Sequence, residues 1–227
     1  MGSFIAIEGG DGSGKGTQTE LLVKHARENL GRNVLQLSFP SYGDDSAYFV
    51  EQYLNKSYGD NPDEIPAELA SLAYAIDRHA KSPLIRDSIA DPNGVAITDR
   101  FVASNMAHQG TKFNSLERRH AFYDRILTTE HGVLTVPEPD MNIVLVVPTE
   151  LAQANVDKKA ARGYTTLTRD LHEENASHLE RAKANFIELV HLYPDRYQAI
   201  HCIDRNGGMR GIEDINKELV ERVRHLL

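Results

Sequence analysis

The sequence predicts an α/β domain, a doubly wound, five-stranded parallel sheet with helices on both faces. Three observations carry this. Short apolar runs alternate with longer, helix-spaced stretches throughout the 227 residues, the order that gives parallel strands joined by right-handed crossovers. The apolar runs lack the in–out alternation of a half-exposed sheet, so they read as strands covered on both faces. No repeat, low-complexity tract or Pro/Gly-rich linker interrupts the chain, and residues 1–227 are expected to form a single domain.

The elements follow in order. Phe4–Glu8 is the first strand and stops at Gly9-Gly10. Lys15–Leu30 carries apolar residues at helical spacing, with Gly31 placed to end it. Asn33–Phe39 is the second strand, stopped by Pro40, and Ser46–Asn55 a short helix. Pro66–Asp91 is a longer helical region that Pro83 should kink or divide. Val95–Thr98 is the third strand and ends at Asp99-Arg100; Leu116–His131 is an amphipathic helix. Met141–Val147, closed by Pro148, is the most apolar strand. Helices at Thr149–Ala161 and about Leu171–Leu192 flank a polar segment, Arg162–Asp170, expected to act as a short mobile lid. Tyr197–Ile203 is the fifth strand and Ile212–Leu227 the last helix.

Composition removes several functions. Lys plus Arg number 25 against 33 Asp plus Glu, a net charge of −8, which argues against a nucleic-acid polymer or a membrane surface as partner. A single cysteine, Cys202, excludes an internal disulfide and any cysteine-rich metal centre; its apolar surroundings make it a core residue. No apolar run approaches the ~18 residues of a membrane span, and the N-terminus has neither the apolar length nor the basic flank of a signal peptide. A cytoplasmic location is expected.

The chemistry begins at Gly9-Gly10-Asp11-Gly12-Ser13-Gly14-Lys15-Gly16-Thr17, a G-x-x-x-x-G-K loop between the first strand and the first helix. Glycines let backbone N–H groups close on phosphate oxygens, the helix N-terminus adds partial positive charge, and Lys15 adds a full one. Gly10 to Thr17 are therefore expected to bind a nucleotide. Gly16 stands where a Ser or Thr usually holds Mg²⁺, and Thr17 comes one residue late. Asp99, at the end of another strand, is the expected second acceptor for the metal, so the metal set is Asp99 and Thr17. Arg100 beside it offers a bidentate fork for a phosphate. The guanine-reading Asn-Lys-x-Asp element of a GTPase is missing, which leaves a small nucleotide kinase.

The loop, with Phe39-Pro40-Ser41-Tyr42, Tyr74-Ala75-Ile76-Asp77-Arg78 and Asp99-Arg100-Phe101-Val102-Ala103-Ser104-Asn105, resembles the thymidylate kinases of the nucleoside monophosphate kinase group. The resemblance implies a P-loop kinase fold, transfer of phosphoryl from Mg²⁺-ATP to dTMP, and a homodimer. It also implies roles: Asp11 for the sugar 3′-hydroxyl, Arg100 and Tyr42 for the monophosphate, Tyr74 to stack on the base, and Arg78, Ser104 and Asn105 to read it. Tyr74 and Arg78 are four apart and share a helix face. Arg162 and Arg169 of the lid would place charge on the transferring group, since loop position 12 is Gly. Two departures stand out. Gly16-Thr17-Gln18 is closer to adenylate kinases, and His108 replaces a tyrosine near the sugar's 2′ position. Another monophosphate or deoxynucleoside kinase, or a nucleotide-binding protein with little turnover, are the alternatives.

Overall fold

The computed structural model describes residues 1–157 and 176–227. Five strands, β1 (Ser3–Gly9), β2 (Asn33–Ser38), β3 (Gly94–Asp99), β4 (Met141–Val146) and β5 (Tyr197–His201), form one sheet in the order β2-β3-β1-β4-β5. Every neighbouring pair is parallel, with Ile5 opposite Ile97 on one side of β1 and Met141 on the other. Central β1, β3 and β4 are buried almost throughout, as continuous apolar runs require. The outer strands β2 and β5 are half-exposed.

Among the described residues eight α-helices pack with the sheet: α1 (Lys15–Lys24), α2 (Tyr48–Leu54), α3 (Ala67–Ala90), α4 (Val102–Gly110), α5 (Leu116–Leu127), α6 (Thr149–Asp157), α7 (Ala176–Leu192) and α8 (Ile212–Val223). Successive strand residues point to opposite faces, and the core divides accordingly. Phe4, Ala6, Ala96 and Val144 pack with Ile85, Met106, Phe122 and Phe186 on one face. Ile5, Ile7, Ile97 and Leu145 pack with Leu22 of α1 and Leu219 of α8 on the other. Cys202 is fully buried in this second cluster, and burial pushes its thiol up to about 11.

Four helices differ in detail from expectation. Pro83 does not divide its helix; α3 runs unbroken over 24 residues with Pro83 inside it. The first and fifth helices each finish in a π-helical turn, His25–Asn29 and Thr128–Val133. Helix α4 falls on a stretch read above only as a motif. Eight of its nine residues are buried, including three polar ones, Asn105, His108 and Gln109.

Candidate active site

The carboxyl ends of β1 and β3 open into a cavity of about 250 Å³, where an open parallel sheet places its ligands. Among the sequence-predicted residues, Asp11, Gly12, Gly14, Lys15, Gly16, Tyr42, Tyr74, Arg78, Asp99, Arg100, Ser104, Asn105 and His108 line it. Gly10 and Ser13 line a smaller adjoining cavity. Thr17 is exposed and lines neither, so the structure does not bring it to Asp99. Arg162, Arg169 and the lid lie outside the described residues.

The phosphate loop has the backbone its glycines permit. At Gly12 φ is +77°, and a Cβ would come within 1.9 Å of the Ala152 carbonyl oxygen on α6, so only glycine fits. Asn155 of the same helix donates to the Gly12 carbonyl at 3.0 Å and holds the turn. Lys15 is buried, and its Nζ donates to the Gly10 carbonyl at 2.8 Å. Burial, then the nearby Arg100 charge, lower its pKa to about 8. Gly16 faces Asp99, whose Oδ2 would stand 3.4 Å from a Cβ at that position, an ordinary contact distance. Asp99 Oδ1 is buried and makes no hydrogen bond among the described residues. An orphaned carboxylate oxygen beside a phosphate loop fits a hydrated Mg²⁺.

Arg100 follows β3 in the left-handed region at φ +66°, which costs an ordinary residue roughly 1–2 kcal/mol. Its surroundings compensate. Nη2 pairs with Asp11, while Nη1 donates to the Gly9 carbonyl at 3.2 Å and to Ser104 Oγ at 3.1 Å. Burial alone would lower the guanidinium pKa, but Asp11, Asp99 and Glu8 together raise it. Glu8, fully buried at the end of β1, accepts from Phe101 N at 2.8 Å and from Ser104 Oγ at 2.6 Å. Burial raises its pKa, opposed by Ser104 and Arg100. The carboxylate thus clamps the β3–α4 turn from beneath.

At the far end of the cavity, Arg78 is 2% exposed rather than solvated and forms a two-pronged ion pair with buried Glu130. Tyr74, one turn earlier, is half-buried and edge-on to Tyr53. Gln109, four residues after Asn105 on α4, lines the cavity; its amide N and O are buried and unpartnered among the described residues. His108 Nδ1 lies 3.3 Å from Nε2 of His178 on α7. Burial, Arg100 and then His178 hold the His108 pKa well below the usual range, so its ring is neutral. Glu8, Gln109, Glu130 and His178 escaped the sequence reading. Only Gln109 carried a signal there, its i+4 spacing from Asn105.

A phosphate loop leaving the central strand, with an acid and an arginine at the end of its neighbour and a cavity that runs on from them to Arg78 and Asn105, is the arrangement of a P-loop nucleoside monophosphate kinase. The solved thymidylate kinases of Candida albicans and Ehrlichia chaffeensis share this fold. Their TM-scores are 0.72 and 0.68 at 21% and 20% identity, covering 99% and 98% of this chain and 92% and 98% of theirs. The sequence model of thymidylate kinases matches residues 7–205. The thymidylate kinase of Mycobacterium tuberculosis (strain H37Rv) is 35% identical over 190 residues, 82% of this chain and 85% of that one. That of Jannaschia sp. is 34% identical over 210 residues, 90% and 88% of the two chains.

The chain belongs to the thymidylate kinase family. It is an enzyme that phosphorylates dTMP to dTDP, and the adenylate-type and non-catalytic alternatives are not favoured. Its substrates are nucleotides, and no helix among the described residues is long and apolar enough to cross a membrane.

Proposed function

We propose that the two ends of the cavity hold the two substrates of the reaction, ATP at the phosphate loop and dTMP between Arg100 and α4. The observation that carries this is one continuous cavity lined by both the loop lysine and the base-end pair Arg78 and Asn105. Lys15 and the N–H groups of Gly10 to Thr17 hold the ATP phosphates. Arg100, with Tyr42, holds the acceptor phosphate and Asp11 the sugar hydroxyl. Tyr74 stacks on the base; Arg78, Asn105 and Gln109 read its edge, Ser104 holds Arg100 in place, and neutral His108 lies alongside. Asp99 holds Mg²⁺, which when bound screens charge on the transferring group.

The acceptor phosphate is already an anionic nucleophile, so no general base is required. Catalysis is alignment and charge neutralisation. Arg162 and Arg169 are assigned to the transferring phosphoryl group on sequence alone. The whole chain, residues 1–227, is read as one domain with a lid at about 162–170, working in the cytoplasm. Exposed Leu69, Leu72 and Ile76 stand at i, i+3 and i+7 on α3 and support a homodimer through that face. The test is ADP release with Mg²⁺-ATP over a panel of monophosphates. dTMP should be the best acceptor, and turnover should fall on metal removal; equal use of AMP would defeat the reading.

A further inference from the structure

Glu130 belongs to none of the motifs above, yet it touches both side chains at the base end of the cavity. It sits on the π-helical turn after α5, an element often found at functional sites, and is fully buried. Its Oε2 accepts from Arg78 Nε at 2.5 Å, and its Oε1 accepts from Arg78 Nη2 at 2.6 Å and from Asn105 Nδ2 at 3.0 Å. The other partner of Asn105 Nδ2 is the Ser71 carbonyl, at 3.2 Å. Both partners only accept, so the amide nitrogen must face them and the amide oxygen must turn away. That oxygen is buried and unpartnered among the described residues, and Asn105 lines the cavity. The fork to Glu130 uses Arg78 Nε and Nη2 and leaves Nη1 as the remaining donor nitrogen. One buried carboxylate therefore fixes a donor and an acceptor together.

We propose that Glu130 is the positioning residue that sets the choice of pyrimidine. By locking the amide of Asn105 it admits a base that offers a ring N–H beside a carbonyl, the edge of thymine. Cytosine, whose ring nitrogen is itself an acceptor, would meet the Asn105 oxygen with no proton between them. This rests on reading the cavity as the dTMP site.

The experiment compares kcat/KM for dTMP and dCMP in the wild-type enzyme, E130Q and E130D, with thermal melts of each. An amide at position 130 can donate to the Asn105 oxygen and let it turn round. The dTMP-over-dCMP ratio should then fall by about tenfold or more, with a raised KM for dTMP and an unmoved KM for ATP. E130D keeps a charge on Arg78, and so the fold, but draws the carboxylate back from Asn105; its ratio should fall in the same direction. A wild-type ratio in both variants overturns the assignment of Glu130 alone, as does an equal loss for both acceptors. A wild-type enzyme with no preference for dTMP overturns the reading of the pocket and this inference with it.

Discussion

Lys15 shows how a single side chain is poised by its surroundings. Its pKa of about 8 reflects burial and the Arg100 charge, and bound phosphate would restore the proton. ATP affinity should therefore weaken as pH rises through about 8, by up to about tenfold per pH unit, as measured by equilibrium titration between pH 6.5 and 9.5. The same depressed pKa means that the unfolded chain binds the proton more tightly. The contribution of Lys15 to stability should thus rise between pH 8 and the ordinary lysine value of 10.5. Lys15→Ala should cut turnover by at least about a hundredfold and leave the circular dichroism spectrum unchanged. A fully active variant would remove Lys15 from the mechanism.

Among elements, α4 does most to build the site, and Phe101 at its N-terminal edge seats it. Phe101 is fully buried, edge-on to Phe4 at 4.9 Å and to Phe39 at 5.5 Å. Phe101→Ala should cost about 3–5 kcal/mol in urea unfolding, and it should raise KM for dTMP, because α4 carries Ser104, Asn105 and Gln109. A loss under about 1 kcal/mol would mean that the helix is seated elsewhere. The strands and the phosphate loop were legible in the sequence because apolar runs and glycine spacing are local signals. Helix α4 was not, because it is only nine residues long and its polar residues line a buried cavity where a surface helix would turn them to solvent. Glu130 was invisible for another reason. Its partner Arg78 is 52 residues away, and nothing local marks a carboxylate that will be buried. Helix α3 runs without a break through Pro83, which lies on its exposed side.

For the whole molecule, the net charge of −8 describes the surface and not the site, where Arg78 and Arg100 are each paired with a carboxylate. The apolar face of α3 sets the expected assembly. Leu72→Glu, at a 47% exposed position, should move sedimentation from dimer to monomer while the melting temperature of the subunit changes little; a dimer that persists would place the interface on another surface.

The strand order has a consequence during synthesis. The strand that leads into the phosphate loop, β1, leaves the ribosome before both its neighbours, which begin at Gly94 and Met141. At roughly 5–20 residues per second, β1 waits on the order of ten to thirty seconds for the second of them. During that interval a strand apolar on both faces has an open edge, a state in which chains aggregate. Nascent chains halted before Met141 should therefore depend on chaperones and fail to retain ATP, and those extended past Asp157, with α6 present to hold the Gly12 turn, should begin to hold it.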